Sequence, residues 1–105
     1  MAVVITGIHP KPNLPLPTNP DEIIQAHLSI ENFQWVNEQT QARGTSSRAS
    51  MFDWIVNQKG RASVRRKRDT NLVSVFGANA STGGYIRCAE NGKWTNDLLE
   101  VDPIV

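Results

Sequence analysis

The sequence is short of the features that make a function easy to read. It has one cysteine, Cys88, and two histidines, His9 and His27. A lone thiol forms no internal disulfide, and no second thiol is present to build a zinc site. That usage predicts a reducing, cytoplasmic setting. No run of about 18 apolar residues occurs, so no membrane-spanning helix and no membrane partner are expected. The apolar opening, residues 1–8, lacks a basic flank and runs straight into Pro10 and Pro12. It reads as a strand and not as a leader. The formal net charge is only +1. No whole-molecule field draws the chain to nucleic acid, so any basic site has to be argued locally. The Gly83-Gly84 pair stands outside the Walker pattern. No cluster of His, Cys, Asp and Glu points to a metal, and no cofactor is expected.

What is present fits one folded domain over residues 1–105, with 39% apolar and 20% charged residues. Residues 3–8 are β-branched and strand-like. Residues 9–20 carry five prolines, which remove backbone donors and fix φ, so an extended loop is expected there. It is either a surface connection or an arm that grips a partner subunit through Leu14 and Leu16. Residues 23–37 read as a long strand. A bulge near Asn32 would bring Leu28, Ile30, Phe33 and Trp35 to one face, and His27 would face solvent. A helix over residues 21–26 is the rival, because Asn19-Pro20-Asp21-Glu22 resembles a helix start.

Residues 39–44 are polar and loop-like. Residues 49–58 form the main helix, with hydroxyl caps at 45–47 and an apolar stripe of Met51, Trp54 and Ile55 widened by Phe52. Gly60 supplies its stop. Residues 62–68 and 72–76 make a hairpin, residues 77–84 a polar loop, and residues 85–89 a strand. Asn91-Gly92 is a type I′ turn signal leading to a return strand at Trp94. The C-terminal tail lies back on the domain. The fold class is α+β: a small twisted antiparallel sheet of about five strands with one main amphipathic helix on it.

Two groups of residues carry candidate chemistry. The first is the basic run Arg61, Arg65, Arg66, Lys67 and Arg68. On a strand, Arg66 and Arg68 share a face with Val64, while Arg65 and Lys67 share the other. Two-sided charge protects an edge from aggregation; guanidinium groups also recognise phosphate oxygens. The second is the C-terminal hairpin. A two-residue turn sets Glu90 opposite Lys93, Ala89 opposite Trp94 and Arg87 opposite Asn96. Tyr85, Arg87, Trp94 and Asn96 would line one face, with Asp97 following, able to stack a base and hold a phosphate. The plainer reading packs Trp94 and Tyr85 on the helix. Cys88 reads as a buried structural thiol. Asp97 lacks an evident acid partner or nucleophile, so no catalytic residue is assigned.

Trp35, the stretch 46–51 ahead of Trp54-Ile55, Tyr85-Ile86-Arg87, and Gly92-Lys93-Trp94-Thr95-Asn96-Asp97-Leu98-Leu99 occur in an order that resembles a family of small bacterial and phage proteins described only as a domain of unknown function. Its members read Tyr-Ile-Arg-Thr and then Gly-x-x-Thr-Asp-Asn-Leu-Leu. The resemblance covers roughly residues 26–105. Cys88 stands where the family has Thr, and Asn96-Asp97 reverses its Asp-Asn. The resemblance implies a compact α+β fold in a bacterium or a phage-infected cell. Phage proteins of this size often sequester a host immune signal such as a cyclic nucleotide, an analogy of setting alone.

Three functions follow as expectations. The first is a non-enzymatic binder of a phosphorylated, nucleotide-like ligand, using Arg87, Trp94, Tyr85, Asn96 and Asp97 with Arg65, Arg66 and Arg68. The second is a protein-interaction domain, or a homo-oligomer built through the Pro-rich arm. The third is a nucleic-acid module using residues 61–68, against which the near-zero net charge argues. A phosphoester hydrolase is the one enzyme worth testing.

Overall fold

The computed structural model describes residues 2–12, 16–81 and 83–104. In chain order the elements are β1 (Ala2–His9), α1 (Pro20–Leu28), β2 (Asn32–Val36), β3 (Arg43–Ser47), α2 (Arg48–Val56), β4 (Arg61–Arg65), β5 (Leu72–Ala80), β6 (Gly83–Glu90), β7 (Lys93–Trp94) and a 3₁₀ turn (Asp97–Glu100). The strands make one seven-stranded sheet in the order β3-β2-β1-β4-β5-β6-β7. The class is α+β, as expected. The sheet has seven strands instead of about five, there are two helices instead of one, and the sheet is mixed. Among the described strands, β1 and β4 pair in parallel, because β2, β3 and α2 intervene and bring the chain back in the same direction.

β1 lies inside the sheet between β2 and β4 and is strongly apolar, with Val3, Val4, Ile5 and Ile8 all buried. Its pairing with β2 slips between Ile5 and Gly7, leaving Thr6 as an extra residue. This bulge changes the side-chain phase, so that Val3, Ile5 and Ile8 all join the core. A bulge was expected in the partner strand near Asn32. There the chain is instead turning out of a helix.

That helix, α1, replaces the first half of the expected long strand. Asn19 accepts from the Asp21 N–H at 2.8 Å, Pro20 occupies the first turn, and Asp21 and Glu22 meet the positive end of the dipole. These caps outweigh the strand preference of Ile23 and Ile24. His27 is consequently buried, not solvent-facing. Leu16, just before α1, packs on the chain's own core; Leu14 lies outside the described residues. Residues 43–47 form an edge strand, where a loop over 39–44 and capping hydroxyls at 45–47 were expected. Their polar, exposed side chains carry no alternation of apolar residues to reveal it.

α2 starts as expected, with the Ser47 hydroxyl accepting from the Ser50 N–H at 3.2 Å. Its end differs. The left-handed residue is Lys59 (φ 57°), and Gly60 instead gives room to the Trp54 ring, which a Cβ there would overlap. The helix packs across β5 and β6. Gly77 and Gly84, expected in a loop, are strand residues on its underside; a Cβ on Gly77 would overlap Val56, and one on Gly84 would meet the Phe52 ring. The expected polar loop is therefore the far half of a long hairpin, paired from Val75↔Cys88 to Ala80↔Gly83.

The tail returns to β1. The Ile8 N–H donates to Asp102 O at 2.9 Å, and the Ile104 N–H donates to Ile8 O at 3.0 Å. β4 pairs only with Ala2–Val4, and the tail bonds farther along β1. Lys11 fastens it by donating to Val101 O at 2.8 Å. Among the described residues, no helix is long and apolar enough to cross a membrane.

Candidate functional site

Two turns meet at the β6–β7 end of the sheet. The first joins β4 to β5. The strand stops at Arg65, and residues 66–71 close as a turn, with Arg66 N–H to Asn71 O at 2.8 Å and Thr70 N–H to Arg66 O at 2.7 Å. The Asp69 carboxylate accepts from the Asn71 N–H at 3.1 Å, a local bond that favours such turns. Because this is a turn and not a strand, Arg66, Lys67 and Arg68 are freed from strict alternation.

The second is the β6–β7 hairpin. Asn91 (φ 55°) and Gly92 (φ 79°) both lie in the left-handed region. The register is Glu90↔Lys93 and Ala89↔Trp94, as the turn type demands. The ladder continues with Thr95 N–H to Cys88 O at 2.9 Å. Buried Leu98 and Leu99 then anchor the 3₁₀ turn in the core.

Arg66 joins the two turns. It is only 8% exposed. Its Nε and Nη2 donate to both oxygens of Asp69, at 3.0 and 2.6 Å, and its Nη1 donates to Glu90 at 2.5 Å. The bidentate geometry is the strong form of this bond. Arg66 holds the Asp69 carboxyl down to about 2, helped by the Asn71 N–H, and Asp69 in turn raises the guanidinium. Lys67 reaches the tail through Asp102 at 2.6 Å, which lowers that carboxyl. Arg68 is 75% exposed and no closer than 3.9 Å to Asp69. Among the described residues, Lys93 has no ion-pair partner.

Between the turns lies a groove of about 900 Å³, lined by Lys11, Arg66, Lys67, Arg68 and Glu90 on one part and by residues 93–97, Leu99 and Glu100 on the other. Trp94 is 49% exposed on its wall. Arg87 lies over that indole, 5.8 Å from the ring centroid, and donates to Asn96 Oδ1 at 3.2 Å and to Thr95 O at 3.4 Å. The Asn96 amide nitrogen is thus left as a donor. Thr95 Oγ1 donates to Asp97 Oδ2 at 2.7 Å, which leaves the other Asp97 oxygen as an acceptor.

Of the residues singled out in the sequence, the groove brings together Arg66, Lys67, Arg68, Trp94, Asn96 and Asp97. Arg87 touches two of them from outside the lining. Three residues lie elsewhere, the first being Arg61, which opens β4 opposite Ala2. Tyr85, expected beside Arg87 and Trp94, is buried with its ring 6.0 Å from that of His27, because α1 covers this part of β6. Arg65 pairs with Glu38 at 3.1 Å in a separate depression beside Val4 and Thr6. Sequence reasoning missed Lys11 and Lys93. Lys11 sits in the proline-rich stretch and is brought in by its bonds to the tail. Lys93 follows the turn glycine, and its place beside Trp94 was the available signal.

Cys88 is fully buried, and burial, with Asp97 nearby, pushes its thiol up to about 12. Burial also lowers His27 to about 4, against a hydrogen bond from Nδ1 to Ile23 O at 2.8 Å. Neither side chain lines the groove. No group of His, Cys, Asp and Glu among the described residues is placed to hold a metal. Comparison with protein-family models, with curated proteins and with solved structures finds no match.

Proposed function

We propose that this groove binds a phosphorylated, nucleotide-like small molecule, and that the protein sequesters or senses it without transforming it. The observation that carries the reading is a half-exposed Trp94, backed by Arg87, beside two lightly engaged cations, Lys93 and Arg68. An indole face stacks any base. Lys93, Arg68 and Lys11 supply charge for phosphate oxygens. The Asn96 donor and the Asp97 acceptor stand side by side, a pairing that suits a base edge or a ribose hydroxyl. Arg66 plays a different part: its charge is already matched by Asp69 and Glu90, so it shapes the site. A cyclic nucleotide signal in a phage-infected cell is one ligand of this chemistry.

A thermal-shift and calorimetric screen against linear and cyclic nucleotides tests the reading. A ligand that binds only the native state raises the unfolding midpoint. Trp94→Ala should weaken that ligand by about tenfold to a hundredfold, the worth of a stacked base. Arg87→Ala should also weaken it, by releasing Trp94 and Asn96. No shift across the panel sinks the proposal. Tight binding only to oligonucleotides, with a steep salt dependence, would favour the nucleic-acid module instead.

A second reading rests on Leu72 and Phe76, which are each about half exposed, 51% and 49%, on alternate positions of β5. Apolar side chains grouped on an exposed face of the sheet suit a protein partner. Binding of a defined protein that Phe76→Ser abolishes, with the nucleotide screen blank, would select it.

A further inference from the structure

A second cavity lies toward the opposite end of the sheet, and it shares no residue with the groove. Trp35 crosses onto its partner Gly44 in β3, and Trp54 rests on Gly60. A Cβ on either glycine would overlap the indole. Each ring therefore settles against bare backbone. Between them opens a cavity of about 240 Å³, floored by Val3 and Met51 and edged by Ser46 and Ser50. Val3 and Met51 are buried, while both indoles pack on the core and remain partly exposed.

Four properties define the occupant. No lining residue is charged, so an ion entering would lose its hydration without compensation. The volume is below the ~300–1,000 Å³ of drug-sized sites, which leaves room for a single ring system. Two indoles in the lining favour a flat aromatic partner through offset or edge-to-face contact. Ser46 Oγ accepts from Trp35 Nε1 at 3.1 Å, so its own proton is free to donate. We propose that this cavity binds a neutral planar heteroaromatic ring, whose ring nitrogen or carbonyl accepts from the Ser46 hydroxyl. Phosphorylated ligands belong to the groove, and uncharged rings belong here.

The test uses the full ¹⁵N-labelled chain and the indole N–H signals of its three tryptophans, assigned by Trp→Phe variants. Adenine, which has ring acceptors, and indole, which has none, are titrated separately. Both should shift Trp35 and Trp54 saturably. Ser46→Ala also frees the Trp35 indole N–H, so it should weaken adenine by about tenfold more than it weakens indole, the worth of one well-made hydrogen bond. Ser50→Met, at an exposed helix position beside the opening, should block both. Trp94 reports the groove independently, so binding there neither mimics nor masks the effect. The proposal is overturned by absent or non-saturating shifts at Trp35 and Trp54, by shifts that survive Ser50→Met, or by a response to tetramethylammonium alone.

Discussion

At the β6–β7 end of the sheet, neighbouring turns are joined by charge: Arg66 spans Asp69 and Glu90, and Lys67 spans to Asp102. Under α2 the joining is by shape, with Phe52 and Val56 set against Gly77 and Gly84, and Trp54 against Gly60. The charged region keeps polar atoms near water and leaves a wide groove. The shaped region is packed by aromatic and aliphatic side chains and leaves a smaller cavity. Charge pairs can re-form around a ligand, whereas close-packed rings cannot move without a clash. The two proposed ligand classes, one charged and one an uncharged ring, follow this division.

His27, on α1, is buried against Tyr85 with Arg87 nearby. Its Nε2 has no hydrogen-bond partner among the described residues. Burial lowers its folded pKa to about 4 from the ordinary 6.5. Above pH 6.5 the ring is neutral whether folded or unfolded, and its contribution is complete. As pH falls from 6.5 to 4 the unfolded chain takes the proton first, so stability drops. The loss is on the order of 3 kcal/mol by pH 4 and then levels off. Urea unfolding across this window should show the slope, and His27→Leu should flatten it. A slope unchanged in that variant would assign the acid sensitivity to carboxylates instead.

Gly77→Val tests the shaped side. The added atoms meet Val56, a β-branched side chain with little rotamer freedom in a helix. About 2 kcal/mol of destabilisation is expected from overpacking, and it should be the same at low and high salt. Pairing the change with Val56→Ala should recover much of it, a coupling readable from a double-mutant cycle. A neutral result would mean that α2 shifts freely over the sheet.

Arg66→Met gives the smallest change in stability and the clearest contrast. It leaves Asp69 and Glu90 facing each other near the groove without their cation. The unfolding midpoint should fall, and the deficit should shrink in strong salt, which screens exposed like charges. The Asp69 carboxyl should also titrate nearer its ordinary value, visible by NMR. A deficit indifferent to salt would show that the arginine stem, and not its charge, holds the turns.

How much of this was legible in the sequence follows the same division. Local signals carried the charged end. Asn91-Gly92 specified its turn and hence the Ala89↔Trp94 pairing, and Ser47 capped α2. The convergence of residues 66–68 with 93–97 was not legible, because it depends on β4, β5 and β6 lying side by side. The shaped side was read worst. Gly77 and Gly84 have low strand preference, and only Phe52 and Val56, more than twenty residues earlier in the chain, explain why glycine stands there. α1 was half legible: its cap was written in Asn19 and Pro20, but Ile23 and Ile24 argued for a strand. The polar edge strand β3 had no signal of its own, since its register comes from pairing with β2.

The bridge between Ile8 and Pro103 has a consequence for how the chain is made. The backbone groups of Ile8 stay without these partners until residues 102–104 have left the ribosome. Until then β1 is an incomplete edge beyond Val4, where β4 no longer pairs with it. Closing so long a loop makes that step slow compared with local hairpin formation.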